Sequence, residues 1–126
     1  MKSNSNIRPA TIQPLGNGAY YYNYNVVERT ETNPETGETK TVYDYETVKV
    51  WDKPTYKKLV KAVVREKLDE TEEFSIINEY NASVIGVTTD SEAKTAAKQA
   101  YKEYLTFVAE TKAMVKADVE AYGNGE

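Results

Sequence analysis

Residues 18–51 read GAYYYNYNVVERTETNPETGETKTVYDYETVKVW and carry most of the chain's tyrosines and its only tryptophan. From Tyr20 to Thr32 and again from Thr39 to Trp51 the stretch is rich in Tyr, Val and Thr, which suit a pleated surface. Turn-forming residues separate the two runs. The sequence therefore predicts a long antiparallel β-hairpin over residues 19–51.

The hairpin turn is predicted from the six letters NPETGE. Pro34 presets φ for the first turn position, and Gly37 supplies the positive φ that a four-residue loop needs before the return strand. Asn33 would then lie opposite Glu38.

The pair across the turn fixes the register of the whole hairpin, because partners in an antiparallel ladder keep a constant sum of residue numbers. In this register Tyr20 faces Trp51, and Glu31 forms a favourable cross-strand pair with Lys40. Side chains alternate between the two faces of a strand, so one face is predicted to be aromatic. Its members are Tyr20, Tyr22, Tyr24, Val26, Tyr43, Tyr45 and Trp51.

Three helices are predicted within residues 52–122. The first starts near Asp52, a candidate N-cap, and the second starts in the acidic segment DETEEF. The third opens at TDSE, where Thr89 and Glu92 match a capping box, and runs for about thirty residues against a usual length of about eleven or twelve. We expect this long helix to pack on the first two; a coiled coil is the alternative.

Residues 1–17 are polar, contain two prolines and end in the turn signal GNG. They are predicted to form an extended N-terminal arm whose Ile7, Ile12 and Leu15 lie along a neighbouring surface; a disordered tail is the alternative. The predicted fold class is α+β: the N-terminal extended arm, a long antiparallel β-hairpin, and three helices with a long C-terminal helix. Residues 18–126 would form a single domain.

Composition argues against an enzyme. The 126 residues include no Cys and no His, so thiolate nucleophiles, disulfides and the commonest metal ligands are missing. There is no Gly-rich phosphate loop and no nucleophile motif, and nothing gives a carboxylate pair such as Glu72 and Glu73 a pocket. We expect a non-enzymatic protein with no cofactor and no metal.

Charge and hydropathy limit the partners. The formal net charge of −4 argues against nucleic acid and anionic membranes, since binding to phosphates needs a positive field. The N-terminal residues lack an apolar run, so neither a secretory signal nor a transmembrane segment is expected. This pattern indicates cytoplasmic synthesis.

The helical blocks DKPTYKKLVKAVVREKLDETEEFSIINEYN (52–81) and YKEYLTFVAETKAMVKADVEAY (101–122) resemble a group of small proteins from tailed phages and prophages of Bacteroidales-type bacteria. In that group a block Y…LV.A..R.KY…EE..I…Y precedes a helix Y..Y..F….K..VK. Leu68 stands here where the group usually has tyrosine. The resemblance implies a head or tail component of the virion, made in the host cytoplasm, with other phage structural proteins as partners. A tail assembly chaperone absent from the finished virion is the alternative.

The tyrosines leave three interpretations open, which are core packing under the helices, a protein interface, and a ligand face for glycan or single-stranded nucleic acid. We expect a structural interaction module in a homo-oligomeric or virion assembly. The predicted interface residues are Ile7, Ile12, Leu15, Tyr20, Tyr22, Tyr24, Tyr43, Tyr45 and Trp51.

Overall fold

The computed structural model describes residues 1–123 and confirms the α+β class, with a four-stranded antiparallel sheet and three helices. Residues 124–126 of the predicted domain lie outside the described residues. The elements are β1 (Lys2–Ser5), β2 (Ile12–Pro14), β3 (Ala19–Thr32), β4 (Thr39–Trp51), α1 (Tyr56–Lys67), α2 (Glu70–Val84) and α3 (Ser91–Gly123).

The predicted register holds in the outer part of the hairpin. Opposed partners run from Thr32–Thr39 to Val27–Asp44. Each pair keeps the constant sum of residue numbers that the turn sets. At the turn the Asn33 amide donates to the Glu38 carbonyl at 2.8 Å. Turn chemistry and cross-strand charge therefore specify this half of the hairpin as predicted.

A β-bulge shifts the register by one residue between Tyr24 and Val27. Asn25 takes a left-handed φ of 52°, which asparagine tolerates better than most side chains, and its amide donates to a Glu46 carboxylate oxygen at 2.8 Å. Beyond the bulge Tyr24 lies opposite Glu46. The predicted pairing of Tyr20 with Trp51 is therefore wrong.

The bulge divides the predicted aromatic face between the two sides of the sheet. The strand β3 tyrosines at even positions face the helices, where Tyr22 and Tyr24 stack with ring centroids 5.2 Å apart. Tyr43, Tyr45 and Trp51 point to the opposite, outer face, because Glu46 is the partner of Tyr24. The buried core consists of Ile12, Tyr22, Tyr24, Val48, Val50, Leu59, Val63 and Val115.

The N-terminal arm folds onto its own hairpin instead of reaching a neighbour. Strand β1 pairs with β4 and strand β2 with β3, so the sheet order is β1-β4-β3-β2. The hairpin edges offer unpaired amides and carbonyls, and the arm satisfies part of them on both sides. Residues 6–11, which we call the strap, join the two edge strands across the outer face of the sheet.

Two helix starts differ from prediction. Thr55, and not Asp52, caps α1, because Asp52 has a φ of 61° and turns the chain after β4. Asp69 caps α2 with a complete capping box. Asp90, and not Thr89, caps α3 by accepting from a backbone amide one turn on.

Helix α3 packs on both other helices, as predicted. Its C-terminal half lies on the sheet and on α1, where the Lys67 ammonium sits 4.3 Å from the Phe107 ring centroid. Its N-terminal half packs on α2, where the rings of Tyr80 and Tyr101 stack at 4.3 Å. We call α2 and residues 91–105 the helix pair.

Candidate interaction surfaces

Three of the nine predicted interface residues belong to the core of the chain itself. Ile12, Tyr22 and Tyr24 are buried, and Tyr20 packs against them at the margin. These side chains have no free surface to offer a partner. For these rings, core packing is the interpretation that the structure supports.

The remaining residues lie on or near the outer face. Leu15, Tyr43 and Tyr45 are half-buried there, while Ile7 on the strap is 77% exposed and Trp51 is 56% exposed. The Lys49 ammonium lies 4.6 Å from the centroid of the Trp51 ring. Trp51 and Ile7 are thus the two predicted contact residues that keep a large free surface.

A buried polar cluster holds the strap on the sheet. The Asn23 side-chain amide donates to the Ala10 carbonyl at 2.7 Å, and its oxygen accepts from the Thr47 hydroxyl at 2.7 Å. The Asn23 backbone amide donates to the Thr11 carbonyl at 2.8 Å. Asn23 and Thr47 are both buried, so these bonds fix the path of the strap.

Residues 27–41, which we call the ribbon, project from the body as a two-stranded hairpin in which every residue is exposed. No strand within residues 1–123 pairs with the outer edges of the ribbon. Arg29 donates to Asp44 at 2.5 Å and to Glu31 at 2.7 Å, and Lys40 lies 3.7 Å from Glu31. The Arg29–Asp44 and Lys40–Glu31 pairs join the two strands, and Arg29, followed by Lys40, holds the pKa of the Glu31 carboxyl below its usual value.

One ionic cluster joins the three helices. Arg65 of α1 donates to the Glu73 carboxylate of α2 at 2.8 Å, and the Tyr104 hydroxyl of α3 donates to the same carboxylate at 2.6 Å. The Tyr104 bond and then Arg65 lower the pKa of Glu73. Burial and the bond to Glu73 raise the pKa of Tyr104 to about 12. The cluster therefore links α1, α2 and α3 through one carboxylate.

The helix pair carries exposed apolar side chains that the sequence reasoning missed. Helix α2 has no buried residue, and Phe74 and Leu105 are largely exposed. Val84, Ile85 and Val87 surround the turn between α2 and α3, where Gly86 has a φ of 86°. The signal was the segment VIGV, in which large aliphatic residues interrupt a polar helix boundary. We call this turn the tip.

A cavity of about 600 Å³ lies between the bulge of the sheet, the end of α1 and the middle of α3. Its lining mixes acidic, basic and apolar side chains, among them Glu66, Lys67, Phe107 and Met114. The part of the chain that the structure describes has no cluster of three or more Asp and Glu that could hold a metal ion. Nor is any helix in residues 1–123 long and apolar enough to cross a membrane.

Comparison with known protein families, curated proteins and solved structures gives no match for this chain. The surfaces of residues 1–123 that stay open to a partner are the ribbon, the tip and the exposed end that carries Trp51.

Proposed function

We propose that this protein is a non-enzymatic structural component of a homo-oligomeric assembly, and that it acts through protein–protein contacts. The observation that carries the proposal is the ribbon. Its residues 27–41 are all exposed, and both of its outer edges are unpaired among the described residues.

The physical argument concerns burial. A two-stranded hairpin without a covered face is marginally stable in water, because ordering each residue costs about 1–2 kcal/mol of backbone entropy. The ribbon offsets little of this cost by burial of its own. Its open edges present amides and carbonyls that a neighbouring strand can pair with. A partner chain that adds to these edges would supply the missing stabilisation.

The virion part of the proposal rests on the resemblance of residues 52–122 to small proteins of tailed phages. Under it, the partners would be copies of this chain and other phage structural proteins in the head or tail. A tail assembly chaperone remains the alternative form of the same proposal, since both act through contacts and differ in their presence in the finished particle.

The test removes most of the ribbon and leaves the body. Arg29 and Val42 are opposed partners, so replacing residues 30–41 with Asn-Gly closes the shortened hairpin with a two-residue turn. Light scattering would give the mass of the wild-type and shortened chains at several concentrations. We expect the wild type to form a defined oligomer and the shortened chain to form a smaller one or a monomer.

The matched control is Glu35→Gln, which changes an exposed turn residue and keeps both strand edges. It should retain the mass of the wild type. A shortened chain that melts like the wild type and keeps the full oligomeric mass would refute the role of the ribbon. A wild-type chain that stays monomeric at every concentration would refute self-assembly.

A further inference from the structure

The tip is an apolar surface at the far end of the helix pair. Val84 is 64% exposed, Ile85 74% and Val87 73%, so three large aliphatic side chains face water within one turn. Covering such side chains removes apolar surface from water, which is favourable. A contact at the tip would therefore gain from burial alone.

The tip is also part of an acidic surface. From Leu68 to Ala93 the chain has no Lys or Arg. It carries seven acidic residues there, Asp69, Glu70, Glu72, Glu73, Glu79, Asp90 and Glu92. Arg65 pairs with Glu73 and lies 3.9 Å from Glu70, and the exposed Lys94 and Lys98 follow on the first turns of α3. Acids still outnumber bases by seven to two over residues 68–98, so the surface around the tip keeps an acidic excess. A partner surface for the tip should be apolar and basic.

The opposite end of the molecule has these properties. Trp51 is 56% exposed and Tyr56 is 37% exposed where β4 passes into α1. The exposed basic residues around them are Lys49, Lys53, Lys57, Lys58 and Lys61, against one acid, Asp52, in the connecting loop. The end of α3 adds one exposed base and one exposed acid, Lys116 and Glu120. We call the surface of Lys49, Trp51, Lys53, Tyr56 and Lys57 the base.

The tip and the base cannot meet within one chain. The Tyr22 hydroxyl bonds Asp118 of α3 near the base end, whereas the tip precedes Ser91 at the start of the same helix. An uninterrupted helix rises about 1.5 Å per residue, so these points are about 40 Å apart. The two surfaces are complementary but held at opposite ends of a rigid rod.

We infer that the tip of one copy docks on the base of a second copy of this chain, in a head-to-tail contact. The inference rests on the proposed self-assembly and names the contact for it. The acidic tip is complementary in charge to the base. Contact of the tip with a second tip, or with an anionic membrane, would instead bring like charges together. A head-to-tail contact uses two different surfaces, so it builds a ring or a filament.

The test uses the single tryptophan as a reporter. Ile85→Lys disables the tip and keeps the base with Trp51, while Trp51→Glu disables the base and keeps the tip. Each variant alone should lose end-to-end association, with an apparent dissociation constant raised at least about tenfold. Mixed together, they should form a one-to-one complex, because the intact tip of one variant can dock on the intact base of the other.

Trp51 emission in the mixture comes from the Ile85→Lys chain alone. We expect it to shift to shorter wavelength and to resist quenching by acrylamide as the Trp51→Glu chain is added. The control is the double variant Ile85→Lys/Trp51→Glu, which lacks both surfaces and should cause no shift. Leu105→Lys, an exposed apolar change away from the tip, should assemble like the wild type.

Two results would overturn the inference. One is a mixture that shows neither a complex nor a change in emission. The other is an Ile85→Lys chain that assembles like the wild type. In that second case, loss of mass on ribbon removal would leave the proposed function standing. A monomeric wild type would overturn both proposals.

Discussion

The Tyr22 hydroxyl donates to an Asp118 carboxylate oxygen at 2.5 Å, which ties the centre of the sheet to the long helix across 96 residues of sequence. Tyr22 is fully buried, and burial followed by the Asp118 carboxylate raises the pKa of its hydroxyl. The bond lies inside the core that α1 and α3 form with the sheet. It should therefore contribute to the stability of the whole body.

Tyr22→Phe tests this bond. We expect the free energy of unfolding to fall by about 1–2 kcal/mol, since a hydrogen bond to a charged acceptor is lost while the ring packing is kept. Urea unfolding followed by circular dichroism measures the change. Tyr20→Phe at the core margin is the control and should stay within about 0.5 kcal/mol of the wild type. Equal loss in both variants would contradict a specific role for the Asp118 bond.

The raised pKa of Tyr24 predicts a loss of stability at alkaline pH. Burial, followed by Glu46 and Glu66, raises its pKa to about 12, while an unfolded tyrosine titrates near about 10. The contribution of the Tyr24 hydroxyl to the free energy of unfolding is fully present below pH ~10 and is lost as pH rises toward ~12. Over this range the unfolded state binds fewer protons than the folded state. The urea midpoint should fall with pH over this range. Tyr24→Phe should show a shallower fall, and an unchanged slope would contradict the assignment.

The lowered pKa of Glu73 predicts a loss of stability at acidic pH. Its pKa lies below the usual value, so its contribution is present above the pKa of an unfolded glutamate, about 4.3, and is lost as pH falls through the lower folded value. Glu73→Gln should lower stability at neutral pH and flatten the acid limb of the stability profile. Glu72→Gln is the neighbouring control, although Glu72 also takes part in the α2 capping box. Hydrogen exchange of α2 should report the change first.

The bulge at Asn25 predicts a strong residue preference. A β-branched side chain is strained at a φ of 52°, so Asn25→Val should cost about 1–2 kcal/mol. Asn25→Gly fits the backbone and loses only the exposed bond to Glu46, so it should lie much closer to the wild type. Thermal melting of both variants compares them directly. Equal melting temperatures would show that the bulge is not specified by this residue.

The sequence predicted those parts of the fold in which local chemistry and hydrophobic pattern agree. NPETGE set the turn, and the register that it implies holds as far as the Val27–Asp44 pair. The helix order and the long last helix followed from periodicity, whereas the predicted caps at Asp52 and Thr89 were wrong by one to three residues. The register then failed at Asn25, because an asparagine within a run of strand residues gives no signal that its φ is positive.

The interaction surfaces were harder to predict, because burial depends on partners that are distant in sequence. Ile12 was predicted to contact a neighbouring surface as part of the arm. Strand β2 of the arm instead pairs with β3, and this pairing places Ile12 in the core. Ile85 and its neighbours looked like a simple helix break. Their exposure follows from their position before the start of the 33-residue helix α3, whose C-terminal half, not its start, packs on the core.

The strap also sets an order of events during synthesis. Residues 1–17 leave the ribosome before the hairpin, but Lys2 pairs with Glu46 and the Ala10 carbonyl accepts from Asn23. Both edge strands of the arm need the hairpin to exist before they can dock. The hairpin closes through local contacts and should form early, whereas the arm waits for it. Each nascent chain thus passes through a stage in which both hairpin edges are open, and in that interval strand exchange between neighbouring nascent chains can compete with closure.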